Sequence, residues 1–249
     1  MIPYGYRRSI LTALIAVAGL CATNPCQTIA AYVQGFDNVP ALLNNSDPVQ
    51  WAWLNQSESP TTTGGWWQAS TNLPDRSFNA QNGPDNSYAW ASFASSNGGA
   101  VISNWLISPT MTFVTGDTFS YWTRTVTGSS FPDRMQVRLS QSGTSIDTGS
   151  SATSVGSFTT LVEDINPTLA VGGYPEVWTK YTTTLSSSFT GRIGFRYFVT
   201  DLANNGNYIG LDSFETTASV VPEPSTYALA GISLAVLASI RKSRRNSSH

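Results

Sequence analysis

The sequence has almost no histidine or cysteine, the residue types that build many catalytic and metal centres. The only histidine is His249, the last of 249 residues. The rest of the chain therefore has no imidazole for a serine-type triad, a zinc site or a general base near neutral pH. The two cysteines are Cys21 and Cys26. If an export segment ends at Ala30, the mature protein has no thiol for a disulfide, a nucleophile or a metal site.

Positive charge is scarce away from the two ends. Of the 13 Lys and Arg residues, two lie at positions 7–8 and four at 241–245, which leaves seven in the body. Of the 15 acidic residues, 14 lie in the body, which gives it a net charge of −7. So acidic a body with no basic patch argues against a nucleic-acid partner. An aromatic content of 12%, with eight tryptophans, argues against disorder.

The N-terminus has the pattern of a signal peptide. Arg7 and Arg8 precede an uncharged, mostly apolar run at residues 10–20, as in the basic and apolar regions of export signals. Thr28 and Ala30 provide the small residues expected before a cleavage site. We therefore predict a signal peptide at 1–30 and an exported body at 31–219.

The C-terminus predicts a short membrane helix. Residues 227–240 are uncharged and compatible with a helix that begins after Pro224. A comfortable span needs about 20 apolar residues, so this 14-residue segment is typical of transient insertion. The basic residues at 241–245 should stay cytoplasmic and leave the body outside.

The body between these ends predicts an all-β fold. Apolar and polar residues alternate with a period of two, and Gly, Asn, Pro and Asp turns separate the alternating runs. Strands are predicted at 28–36, 66–70, 88–93, 101–107, 118–125, 135–139, 158–165, 178–185, 192–199 and 209–212. About ten short strands without a helical stripe favour an antiparallel jelly-roll sandwich.

Two segments carry resemblances to known families. Val221, Pro222, Glu223 and Pro224, with the apolar helix and the basic cluster after them, resemble the PEP-CTERM sorting signal of Gram-negative bacteria at residues 220–249. This resemblance implies recognition by exosortase, a membrane transpeptidase, passage through the inner membrane and delivery to the cell surface or extracellular matrix.

The body resembles the choice-of-anchor J domain, which is related to the cleaved-adhesin and MAM jelly rolls. The resemblance rests on Gln34 to Asp37, Ser103 to Pro109, Phe119 to Arg124, Phe131 to Leu139 and Tyr208 to Asp212. It implies adhesion or binding at a surface. It also implies a structural Ca²⁺ ion where the first and last strands meet, with Asp37 and Asp212 as ligands. The alternative is that Asp37 caps a turn with Asn38 and that Asp212 faces solvent.

The tryptophans suggest a second kind of site. Several of them could form a flat platform for sugar rings, although filling of the core is the alternative for most. Because Trp66 and Trp67 are adjacent, a strand would point one inward and the other outward. One of these two is therefore the predicted ligand-binding residue.

These observations favour a non-catalytic, exported module for adhesion or polysaccharide binding. A carbohydrate-active enzyme on a β-sandwich is an alternative and would need two convergent carboxylates. Glu163 and Asp164 are adjacent and would face opposite sides of a strand, whereas Glu58, Glu176 and Glu215 are isolated. A matrix component without a specific ligand is a further alternative.

Overall fold

The computed structural model describes residues 32–43, 50–62, 64–72, 76–98 and 101–221. The predicted signal peptide, the predicted membrane helix at 227–240 and Pro222, Glu223 and Pro224 lie outside these ranges. The described strands, in chain order, are β1 (Tyr32–Gln34), β2 (Ala52–Asn55), β3 (Trp67–Gln68), β4 (Ala89–Ser92), β5 (Val101–Ile107), β6 (Met111–Phe113), β7 (Thr118–Thr125), β8 (Met135–Ser140), β9 (Thr160–Ile165), β10 (Thr179–Thr184), β11 (Phe189–Thr200), β12 (Tyr208–Thr216) and β13 (Ser219–Val220). The helical segments in those ranges are α1 (Val39–Leu43) and a 3₁₀ helix at Phe93–Ser95.

The strands form two antiparallel sheets. The first sheet has the order β10-β7-β12-β4-β3, and β1 also pairs with β12. The second sheet has the order β13-β6-β11-β5-β2, with β8 on β11 and β9 on β8. The fold is thus an all-β sandwich of jelly-roll type, as predicted. Each of the ten predicted strands overlaps a strand of the structure.

The strands β2, β6 and β13 were not predicted. They have four, three and two residues, and the predicted strands β1 and β3 are as short, so length alone does not explain why they were missed. Each is a strand because a partner distant in sequence supplies the hydrogen bonds, as when β5 pairs with β2. Their existence depends on tertiary pairing, which local propensity does not report.

The core lies between the sheets and is dominated by aromatic rings. Phe195 of β11 meets Phe214 of β12 at a ring-centroid distance of 6.0 Å, and Trp51 packs 5.5 Å from Phe214. All three side chains are buried. Burial of each large apolar side chain is worth roughly 1.5–3 kcal/mol, so this inter-sheet cluster is a main source of stability.

The outer face of the second sheet is also covered. Arg192 and Arg196, which alternate with the core residues of β11, are buried. The segment at 141–158 lies over this face, since Ala152 provides a carbonyl for the Arg196 guanidinium and the Phe158 ring packs 5.3 Å from Trp105. In the described ranges, no helix has the length and apolar character needed to cross a membrane.

Candidate ligand-binding face

The two adjacent tryptophans point in opposite directions, as the strand geometry predicts. Trp66 is completely buried and donates from its indole Nε1 to the carbonyl of Asn104 at 3.3 Å. Trp67 is 38% exposed on the other face of the first sheet. Of the two predicted residues, only Trp67 can meet a ligand.

Trp67 belongs to a group of aromatic side chains that we call the aromatic strip: Trp53, Trp67, Trp90 and Tyr208. Trp67 of β3 lies directly opposite Trp90 of β4. Trp90 stacks on Tyr208 of β12 at 4.9 Å with an interplanar angle of 16°. Trp53 of β2 contacts Trp67 at 6.1 Å. The strip therefore crosses three strands of the first sheet and reaches an edge strand of the second.

Hydrogen bonds and packing fix the strip in place. The Trp90 indole donates to the backbone carbonyl of Gln68 at 2.9 Å. Tyr208 exchanges a hydroxyl hydrogen bond of 2.9 Å with Tyr88 and packs edge-to-face on Phe78. Burial raises the pKa of Tyr88 to about 12 and also raises that of Tyr208, so both hydroxyls remain protonated at neutral pH.

Glycine makes close packing beneath the strip possible. Gly210 lies opposite Trp90 in the sheet. A Cβ atom at Gly210 would come within 2.8 Å of the rings of Phe78 and Trp178. The absence of a side chain there lets the Phe78 and Trp178 rings approach the backbone of β12 closely.

Half-buried indole and phenol faces held in fixed positions can stack against the apolar C–H faces of sugar rings. Trp53 and Trp90 are among the eight tryptophans of the sequence, but their membership of one strip could not be predicted. It depends on the pairing of β3 with β4 and on the contact between the edges of the two sheets. Tyr208 was not predicted as a ligand-binding residue. The available signal was its place next to Ile209 in a strand: neighbouring side chains point to opposite faces, so a buried Ile209 leaves Tyr208 on the outer face.

The two predicted calcium ligands approach the same loop, residues 81–87. Asp212 is fully buried, and its Oδ2 accepts hydrogen bonds from the backbone amides of Gln81 at 2.8 Å and Asn82 at 3.2 Å. Its Oδ1 accepts from the amide of Ser213 at 2.6 Å. Burial raises the pKa of Asp212 to about 6 despite these hydrogen bonds. The alternative that Asp212 faces solvent is therefore wrong.

Asp37 is exposed and lies on the other side of that loop. A Cβ atom at Gly83 would be 3.2 Å from Asp37 Oδ1. The Gln68 side chain ties the two segments together, because it accepts from the amide of Val39 and donates to the carbonyls of Phe36 and Asn86. Oxygen donors are what Ca²⁺ requires, but hydrogen bonds from the protein already occupy both oxygens of Asp212. In the described part of the chain, no three His, Cys, Asp or Glu side chains converge as a metal site.

Of the carboxylates considered for catalysis, Asp164 and Glu215 are each held in an ion pair with a basic residue. Asp164 binds Arg134 at 2.6 Å, and Glu215 binds Lys180 at 2.5 Å. Burial raises the pKa of Asp164, but hydrogen bonds from Arg134 and Gln136 outweigh it and lower that pKa overall. These carboxylates remain ionised and engaged, which suits structural ion pairs.

The sorting segment begins at a fixed point of the sandwich. The backbone amide of Val221 donates to the carbonyl of Thr110 at 2.9 Å. Val221 is also the last described residue, so the remainder of the predicted motif lies outside the described ranges. Residues 220 and 221, where this segment begins, therefore lie at the edge of the second sheet, beside β6.

Comparison with known proteins gives a match at the C-terminus and structural similarity over the body. A profile of the PEP-CTERM protein-sorting motif matches residues 220–245. No curated protein sequence matches the chain.

Among solved structures, the K1 cleaved adhesin domain of Lys-gingipain from Porphyromonas gingivalis W83 has a TM-score of 0.50 and 19% identity, covering 74% of this chain and 96% of that domain. The K3 domain of the same protein has a TM-score of 0.47 and 18% identity, over 76% of this chain and 97% of that one. A carbohydrate-binding module in complex with β-1,4-galactotriose has a TM-score of 0.38 and 11% identity, over 76% and 99%. At 19% identity, the similarity to the K1 domain shows a shared fold and does not indicate a shared ligand.

Proposed function

We propose that this protein is an exported, non-catalytic module that binds neutral polysaccharide at the bacterial surface through the aromatic strip. The observation that carries the proposal is the position of Trp67, exposed on the outer face of the first sheet, opposite Trp90 and against Trp53. The C-terminal PEP-CTERM motif implies sorting by exosortase and an extracellular location. The resemblance to choice-of-anchor J domains is compatible with this role.

The charge distribution supports a neutral ligand. Arg76, Arg192 and Arg196 are buried, and Arg134 and Lys180 are paired with carboxylates. The body has 14 acidic and seven basic residues. The net charge of −7 therefore disfavours a polyanionic ligand, and stacking on the aromatic strip needs no ligand charge.

Affinity electrophoresis of the purified protein tests the proposal. Gels containing neutral β-glucan, xylan or galactan are compared with a gel containing alginate, which is acidic. We expect retardation by at least one neutral polymer and none by alginate. We expect Trp67→Ala to weaken binding about tenfold, as for a central aromatic contact, and Trp67→Tyr to retain most of it.

Val114→Ala is the control, because Val114 is an apolar side chain exposed to 57% in the turn after β6, a strand of the second sheet. Thermal melting of each variant verifies that the fold is intact. Absence of binding to every neutral polymer, or unchanged binding by a folded Trp67→Ala protein, would overturn the proposal.

Calcium binding by Asp37 and Asp212 stays a prediction. Its support is that both carboxylates approach the loop at 81–87 from different strands. Asp37 is the exposed member and would meet the ion directly. Asp212 would take part only by exchanging its amide hydrogen bonds for the ion.

A further inference from the structure

A second aromatic site lies at one end of the sandwich, away from the sheet face. Phe93 and Phe131 are 56% and 49% exposed. They line an open cleft of about 360 Å³ together with Leu202, Gly206 and Asn207. Ligand pockets in proteins span roughly 300–1,000 Å³, so the cleft is large enough for a small ligand.

Three loops that form the cleft are joined by hydrogen bonds. The amide of Phe93 donates to the carbonyl of Asn207 at 3.0 Å, and the amide of Gly206 donates to the carbonyl of Pro132 at 2.9 Å. The side-chain Nδ2 of Asn207 donates to Ser129 Oγ at 2.7 Å. Phe131 is held by the same hydroxyl, which accepts from its amide. The exposed rings are thus carried by an ordered framework.

A buried carboxylate supports this framework from behind. Asp133 Oδ1 accepts hydrogen bonds from the amide of Asn207 at 2.7 Å and the hydroxyl of Tyr197 at 2.6 Å. Asp133 is fully buried, and the ion pairs of the described residues do not include it. Burying an unpaired carboxylate is unfavourable. Here it fixes the position of Asn207, the polar residue that lines the cleft.

The hydrogen-bonding groups of the cleft indicate the class of ligand. The amides of Phe93, Gly206 and Asn207 all donate within the protein, so they are not available to the main chain of a bound peptide. Among the described residues, none donates to the side-chain oxygen of Asn207, which leaves it as an acceptor. Two aromatic faces and one acceptor suit a sugar ring, which offers apolar C–H faces and hydroxyl donors.

We infer that the cleft of Phe93, Phe131 and Asn207 is a second carbohydrate subsite, which takes a neutral sugar residue. The inference rests on the proposed polysaccharide-binding function and adds a site that is separate from Trp67. Trp90 of the strip and Phe93 of the cleft are three residues apart on one segment, and Tyr208 of the strip follows Asn207 directly. A single polymer chain engaging both sites would therefore bind more tightly than at either site alone.

Isothermal titration of the full-length protein with neutral gluco-, xylo- and galacto-oligosaccharides of increasing length tests the inference. We expect Phe131→Ala to weaken the longest bound oligosaccharide about tenfold. Phe131→Tyr should restore binding, because it returns an aromatic face. Leu161→Ala is the control, since Leu161 is exposed to a similar extent, 46%, on the edge strand β9.

The comparison with Trp67→Ala separates the two proposals. If Trp67→Ala weakens binding but a folded Phe131→Ala protein binds as tightly as the wild type, the second site is overturned and the proposed function stands. Absence of wild-type binding to all these oligosaccharides and their polymers would overturn both. Phe131-dependent binding of a peptide in place of a sugar would overturn the assignment of ligand class.

Discussion

At the scale of single residues, the environment of a side chain decides whether it serves the core or the surface. Trp66 and Trp67 are identical in chemistry and adjacent in sequence, yet one is buried and the other is exposed. The two-residue period of a strand explains this division completely. Which of the two is buried follows from the face that β3 turns toward the other sheet.

Asp133 provides a residue-scale prediction about stability. Asp133→Asn removes an acceptor oxygen and places amide donors against the hydroxyls and the amide that now bind the carboxylate. We expect the free energy of unfolding at pH 7 to fall by about 1–3 kcal/mol, measured by urea denaturation. Asp147→Asn, at an exposed turn, should change it by less than about 0.5 kcal/mol. An unchanged or more stable Asp133→Asn protein would show that the desolvation of the charge outweighs its hydrogen bonds.

The pH dependence of the same variant has a defined sign. Burial raises the pKa of Asp133 above its ordinary value of 3.8, against the lowering effect of its hydrogen bonds. The folded protein therefore holds this proton more tightly than the unfolded chain does. The stability that protonation of Asp133 contributes is fully present below pH 3.8 and is lost as the pH rises through the folded-state pKa. The difference between wild type and Asp133→Asn should therefore be larger at pH 4 than at pH 7.

At the scale of elements, the loops show the largest departures from a simple alternating pattern. By strand alternation Arg196 would lie on the polar face of β11, but the segment at 141–158 covers that face. The Arg196 guanidinium lies 3.8 Å from the centroid of the Phe198 ring. It is buried, and all of its hydrogen-bond acceptors are neutral groups. Burial lowers the pKa of Arg196 to about 9, so the side chain is still charged at neutral pH.

The loop at 81–87 provides an element-scale prediction about calcium. If Asp37 and this loop bind Ca²⁺, excess EGTA should lower the melting temperature of wild type and leave that of Asp37→Asn unchanged. Asp212→Ala should melt at a lower temperature with or without EGTA, because the amides of Gln81 and Asn82 lose their acceptor. Asp147→Asn, at an exposed turn of another segment, is the control and should respond to EGTA as the wild type does. Equal melting of wild type with and without EGTA would contradict calcium binding.

At the scale of the whole molecule, the two ends of the chain are basic and the body is acidic. Four of the 13 basic residues lie at 241–245, whereas the body has a net charge of −7. Basic residues favour the cytoplasmic side of a membrane. This asymmetry agrees with a tail that is read during export and a body that acts outside.

The sorting motif leads to a prediction about the mature chain. Mass spectrometry of protein released from the cell surface should find a C-terminus that lacks residues 241–249, because processing near Pro222, Glu223 and Pro224 removes the tail. Glu223→Ala should accumulate with the tail attached. Glu163→Ala, a carboxylate change outside the motif, should be processed normally. An intact tail in the wild-type surface form would contradict the prediction.

The sequence alone determined the fold class, the approximate positions of ten of the thirteen described strands, and the presence of a C-terminal sorting motif. These depend on local patterns: a two-residue period, turn residues, and charges at the ends of apolar segments. Tertiary structure decided the rest, because the aromatic strip, the cleft at Phe93 and Phe131 and the buried role of Asp133 each join residues far apart in sequence. Trp67 and Trp90, or Asp133 and Asn207, become neighbours only when strands and loops pair, and that pairing depends on the burial of the whole sandwich.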